Sequence, residues 1–109
     1  MSDFIETSVM VENIGPNGIG FRQDSVDYFC IKQGDELFVY QNKCPHFGVR
    51  LEFLPNEFLD ANQSAILCSR HSALFDIRTG HCHQGPCLNE SLTAVQHIQK
   101  QGRLYIQPL

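Results

Sequence analysis

Residues 44–50 read CPHFGVR and residues 68–71 read CSRH. Each stretch sets one thiol and one imidazole a residue or two apart, and 21 residues separate His46 from Cys68. Cys44 does not belong to a redox dithiol of the C-x-x-C kind, because Phe47 stands where the resolving cysteine would be. Nor does any βαβ pattern surround it. Two short loops that each carry one soft and one borderline ligand can close a metal site between them.

The flanking sequence says what holds those loops. TSVMVENI (7–14) alternates and is rich in valine, and GPNGIG (15–20) is a turn cluster. Strands are predicted over Val26–Lys32 and Glu36–Gln41 about a turn at Gln33–Asp35. SAILC (64–68) is a short apolar strand that delivers Cys68. ALFDIRTGHCH (73–83) reads as a strand running into a turn at Thr79 and Gly80. TAVQHIQKQGRLYIQPL (93–109) gives two alternating strands about Gln101–Gly102. Only LEFLPNEFLDANQ (51–63) has helical spacing, and Pro55 limits it to a turn or two. The class is all-β, many short strands with frequent turns.

Bulk properties narrow the function. A chain of 109 residues is one domain, residues 1–109, large enough to bury a core without disulfides. Twelve acids against eight bases give a net charge of −4, which argues against a nucleic-acid binder. The N-terminal MSDFIETSVM carries acids where a secretion signal needs bases, and no run is long enough to span a membrane. Five cysteines are an odd number, so a closed disulfide framework is not expected, and a cytoplasmic location fits.

Zinc accepts two sulfurs and two nitrogens, but zinc fingers order them Cys, Cys, His, His with a helix carrying the histidines. Here the order alternates and both pairs sit in β-loops. That suits a binuclear iron–sulfur cluster better, with both thiolates on one iron and both imidazoles on the other. CPHFG, CSRHSALFDIRTG and the downstream Gly85–Pro86 together resemble the Rieske 2Fe–2S domain, in the family's order and over about Val9–Gln107. The resemblance implies an antiparallel β-sandwich with a small cluster-binding subdomain at about residues 42–87. It implies one 2Fe–2S cluster, with Cys44 and Cys68 on one iron and His46 and His71 on the other, and a loop at Gly85–Pro86 covering it. It also implies a soluble ferredoxin, or a small subunit of an oxygenase or reductase system such as nitrite reductase. Such a carrier takes electrons from a reductase, passes them to an oxygenase or reductase, and has no substrate site of its own. A cluster-based redox or iron sensor and a zinc-stabilised binding module are the alternatives.

The departures from the family pattern carry information. Respiratory and photosynthetic members join the two loops by a disulfide, and here Val49 and Arg70 occupy those places. Ser72 stands where a glycine is usual after the second histidine. The inter-motif segment is several residues longer than usual, and the extra length falls in 51–63, where it either shapes a partner interface or is neutral. High-potential members carry a serine and a tyrosine at the positions of Ala73 and Phe75, so a low potential is expected here. Of the other cysteines, Cys30 reads as a buried small hydrophobe. The spacing of Cys82 and Cys87 permits a disulfide, and HCH (81–83) has the composition of a metal-binding tract.

Overall fold

A computed structural model describes residues 4–45 and 48–109. Among the described residues nine strands follow in chain order: β1 (Ile5–Met10), β2 (Ile19–Gln23), β3 (Val26–Gln33), β4 (Glu36–Gln41), β5 (Ile66–Cys68), β6 (Ala73–Phe75), β7 (Cys82–Gln84), β8 (His97–Lys100) and β9 (Arg103–Ile106). All pair antiparallel, in three three-stranded sheets ordered β1-β9-β8, β2-β3-β4 and β5-β6-β7. There is no α-helix among the described residues, so none is long and apolar enough to cross a membrane.

The β3–β4 hairpin is the wall on which the rest is built. Its strands are apolar on both faces, the pattern of a strand buried on both sides. Tyr28, Cys30, Leu37 and Val39 face one core, shared with Val9, Leu104 and Ile106 of the sheet formed by the chain ends and with Val95 just before it. Phe29, Ile31 and Tyr40 face a second core, shared with Phe58, Ile66, Phe75 and Leu92. Alternation along β3 thus divides the interior in two. The base lies on one side. On the other lie the sheet β5-β6-β7 and the loops that the chain builds between β4 and β8.

Three local expectations are revised. The strand expected in 7–14 starts earlier, at Ile5, and gives way to a 3₁₀ turn at Val11–Asn13. β2 begins inside the glycine-rich stretch read as a turn. Its Gly20 lies under the Phe58 ring, where a β-carbon would stand 3.1 Å from the ring edge, so strand and loop pack because the side chain is missing. Residues 51–63 form no helix. A turn at Leu54–Glu57 lets Phe58 return to the core, where it stacks on Phe29 with ring centroids 4.6 Å apart. Phe58 N–H donates to the Asn17 carbonyl and its own carbonyl accepts from Leu67, so the segment is fixed by long-range strand-like bonds. Tertiary pairing and the burial of one aromatic side chain outweigh the weak local helical spacing.

Candidate metal centre

The first loop leaves β4 at Gln41. Asn42, itself buried, accepts a hydrogen bond from Leu51 N–H through its side-chain oxygen at 2.9 Å, and this closes the loop's base. Inside it, Cys44 N–H donates to the Val49 carbonyl (2.7 Å) and Gly48 N–H to the Cys44 carbonyl (2.8 Å). These bonds fold the backbone around Cys44 and carry its thiol inward.

The second loop joins β5 to β6. The Cys68 carbonyl accepts from both His71 N–H (3.3 Å) and Ser72 N–H (2.8 Å), a tight turn that returns the chain to β6. Ser72 sits at φ +57°, so the left-handed conformation is kept although a serine occupies the glycine position. The two loops are tied without a disulfide. Ser69 N–H donates to the Leu51 carbonyl at 2.9 Å, and Arg70 Nε donates to the Arg50 carbonyl at 3.1 Å. The Arg70 guanidinium also lies over the Phe53 ring, 5.1 Å from its centroid. An arginine therefore links the loops from the position where the resemblance places one half of the disulfide of respiratory and photosynthetic proteins. Phe53 and Leu54, at 62% and 64% exposure, form the apolar tip of the longer inter-motif segment.

Among the described residues the result is a group of three donors. The Sγ atoms of Cys44 and Cys68 and a ring nitrogen of His71 lie within 4.8 Å of one another, and Cys68 Sγ is 3.6 Å from His71 Nδ1. Both thiols are fully buried, while His71 is half-buried. His46 lies outside the described residues. Burial first, and then the charge of Cys44, pushes the Cys68 thiol up from its ordinary value. Two adjoining thiolates in an apolar pocket are costly without a cation, and a bound metal supplies it. The donor set therefore fits a 2Fe–2S cluster, which the two buried thiolates and the half-buried imidazole would hold.

A third loop closes over this group. Gly85, at φ +102°, approaches β6 so closely that a β-carbon would stand 2.8 Å from Ala73 Cα. Beyond Pro86, the Cys87 sulfur comes to 3.3 Å from Cys44 Sγ, and both residues are fully buried. The sequence gives no sign of this juxtaposition; its spacing only permits a Cys82–Cys87 disulfide. Instead the two thiols are separate, and Cys82 Sγ donates to the Gln84 carbonyl at 3.2 Å. The HCH tract does not converge either. Strand alternation turns Cys82 inward and leaves His81 and His83 exposed, with His81 Nδ1 3.3 Å from Ser91 Oγ.

Solved structures share this architecture. The ferredoxin of carbazole 1,9a-dioxygenase from Nocardioides aromaticivorans superposes with a TM-score of 0.79 at 21% identity, covering 99% of this chain and 100% of that one. The terminal oxygenase of carbazole 1,9a-dioxygenase from the same organism gives 0.75 at 13% identity, covering 93% of this chain but 29% of that one. A chain in the reduced complex between oxygenase and ferredoxin of carbazole 1,9a-dioxygenase gives 0.76 at 13% identity, with 95% and 27% covered. This chain thus spans under a third of the two longer chains it matches. Direct sequence comparison with curated proteins finds no match. Residues 11–100 match the family described as the Rieske [2Fe-2S] domain. That span includes all three loops and the β3–β4 wall, so the chain belongs to the Rieske [2Fe-2S] domain family.

Proposed function

We propose that this protein is a one-electron carrier in which Cys44 and Cys68 bind one iron of a 2Fe–2S cluster and His46 and His71 the other. The reading rests on one observation above all: two buried thiols and a half-buried imidazole converge from paired loops in a chain of this family. When bound, the cluster accepts and releases a single electron. The protein's part is to hold and tune it. Residues 42–87 act as the cluster-binding subdomain of a single domain. The buried thiolates anchor the group to the β3–β4 wall, and the tight turn at Cys68–Ser72 orients His71 toward the surface. An electron partner approaches on that imidazole side.

The size and shape fit a soluble ferredoxin, or a small electron-transfer subunit, with no substrate site of its own. Its donor is a reductase and its acceptor an oxygenase or reductase, in the cytoplasm, without nucleic acid or membrane as partner. The matched ferredoxin, described as that of carbazole 1,9a-dioxygenase, supports the oxygenase branch. Metal analysis tests the proposal. Protein made under iron-replete, anaerobic conditions is expected to hold about two irons and two acid-labile sulfides per chain, with the EPR signature of mixed nitrogen and sulfur ligation on reduction. Stoichiometric zinc instead would overturn it in favour of a binding module.

A further inference from the structure

We propose that Cys87 donates a hydrogen bond to the Cys44 sulfur and thereby tunes the reduction potential of the centre. The inference rests on the reading of Cys44 as an iron ligand. The two Sγ atoms lie 3.3 Å apart in the second core, and neither residue is exposed to solvent. A contact of this kind needs a proton on one sulfur. Between two free thiols either can supply it. A cysteine bound to iron is a thiolate and carries no proton, so in the loaded protein only Cys87 can donate.

Its position is well defined. Glu90 N–H donates to the Cys87 carbonyl at 2.9 Å, and Leu88 N–H to the Gly85 carbonyl at 3.1 Å. Gly85 in turn rests on Ala73 and the Ser72 carbonyl. The loop that brings Cys87 to Cys44 is therefore braced against the strand leaving the second ligand loop. Water does not compete for the Cys44 sulfur on this side, since both residues are fully buried.

The direction of the effect follows from charge. An added electron increases negative charge on the cluster and its thiolates. A donor aimed at a ligand sulfur then interacts more strongly with the reduced state and raises the potential. Ala73 and Phe75 provide no hydroxyl at the positions where high-potential relatives donate. Cys87 supplies a donor from a different loop. Cys82, five residues earlier, is the natural control, because its thiol is committed to the Gln84 carbonyl.

The test compares the holoproteins of wild type, Cys87→Ala, Cys87→Ser and Cys82→Ala by voltammetry, with resonance Raman of the iron–sulfur stretches in light and heavy water. Cys87→Ala is expected to shift the reduction equilibrium three- to tenfold toward the oxidised form, a fall of about 30–60 mV at about 59 mV per tenfold for one electron. Cys87→Ser retains a donor and should recover at least half of that fall. Cys82→Ala should leave the potential in place. The heavy-water shift of the stretch involving Cys44 should disappear in Cys87→Ala and persist in Cys87→Ser. An unchanged potential and an unchanged heavy-water shift in loaded Cys87→Ala overturn the inference. So does a thiol count showing Cys44 and Cys87 joined as a disulfide, or loss of iron from both Cys87 variants, which would make Cys87 a ligand or a structural element. Wild-type protein without iron refutes the underlying electron-carrier reading instead, so the two failures are distinguishable.

Discussion

Replacing Gly85 by alanine measures how hard the third loop presses on the metal centre. Two costs combine. At φ +102° the backbone is in a region that L residues rarely adopt, which costs about 1–3 kcal/mol. The new β-carbon would also stand 2.8 Å from Ala73 Cα and 3.2 Å from both Ala73 Cβ and the Ser72 carbonyl oxygen. Two of these three atoms are backbone and cannot swing aside, so overpacking adds about 1–3 kcal/mol. Gly34→Ala is the matched control. Its φ is +59° and nothing lies within 4 Å of a β-carbon there, so only the conformational cost of about 1–2 kcal/mol applies. Equilibrium denaturation of both variants as holoproteins under argon, with iron content followed in parallel, gives the comparison. Gly85→Ala should be the less stable by about 1–3 kcal/mol and should lose iron at lower denaturant, because Ser72 adjoins His71. Equal costs within about 0.5 kcal/mol would refute the close approach.

Cys44→Ser and Cys68→Ser should each abolish cluster binding, whereas Cys30→Ser and Cys82→Ser should keep their iron; iron loss in the Cys82 variant alone would move the ligand assignment. Ala73→Ser with Phe75→Tyr should raise the reduction potential by about 40–90 mV per hydroxyl if each new bond favours the reduced state by about 1–2 kcal/mol, and an unmoved potential with the cluster intact would show that the hydroxyls point elsewhere. Ser72→Gly should stabilise the protein by about 1 kcal/mol, since serine there holds a φ of +57°, and a destabilised variant would contradict this. Stability should also fall as pH rises from 9 toward 12. Burial lifts the Cys30 thiol from 9.0 to about 12, and burial with the Asp76 charge lifts Tyr40 from 10.0 to about 12, so the unfolded chain sheds protons that the native state keeps. A denaturation midpoint that does not change between about pH 8 and pH 11 would count against both assignments.

The elements that were legible in the sequence carry their own punctuation. β3, β4, β8 and β9 show apolar residues bounded by Gly-containing turns, and the turns at Gly34 and Gly102 fall where those residues predict. β2 was hidden because Gly20 stands second in Ile19–Gln23, directly after a turn cluster, and the segment becomes a strand by pairing with β3. The 51–63 segment was ambiguous for a related reason: Phe58 is placed by its stack on Phe29, a contact no local pattern encodes. At the centre, the sequence singles out Cys44, Cys68 and His71 because two loops repeat the same pair of ligand types, and the structure brings these three together. Cys87 was not associated with Cys44 because 43 residues separate them, and only the return of the third loop over β6 brings the sulfurs together. The spacing of Cys82 and Cys87 permits a disulfide, but strand alternation at Cys82 and the turn after Gly85 aim them differently.

The hairpin that faces two cores has a consequence for how the protein is born. β3 and β4 are joined by a short turn and register over six residue pairs, Tyr28↔Gln41 to Gln33↔Glu36, so they can assemble early at little cost in loop closure. The core under the chain ends involves neither Cys44 nor Cys68. The base, which needs β8 and β9, can therefore assemble in the finished chain without engaging either thiol. Its folding and the loading of the cluster are separable steps, one on each side of the same hairpin.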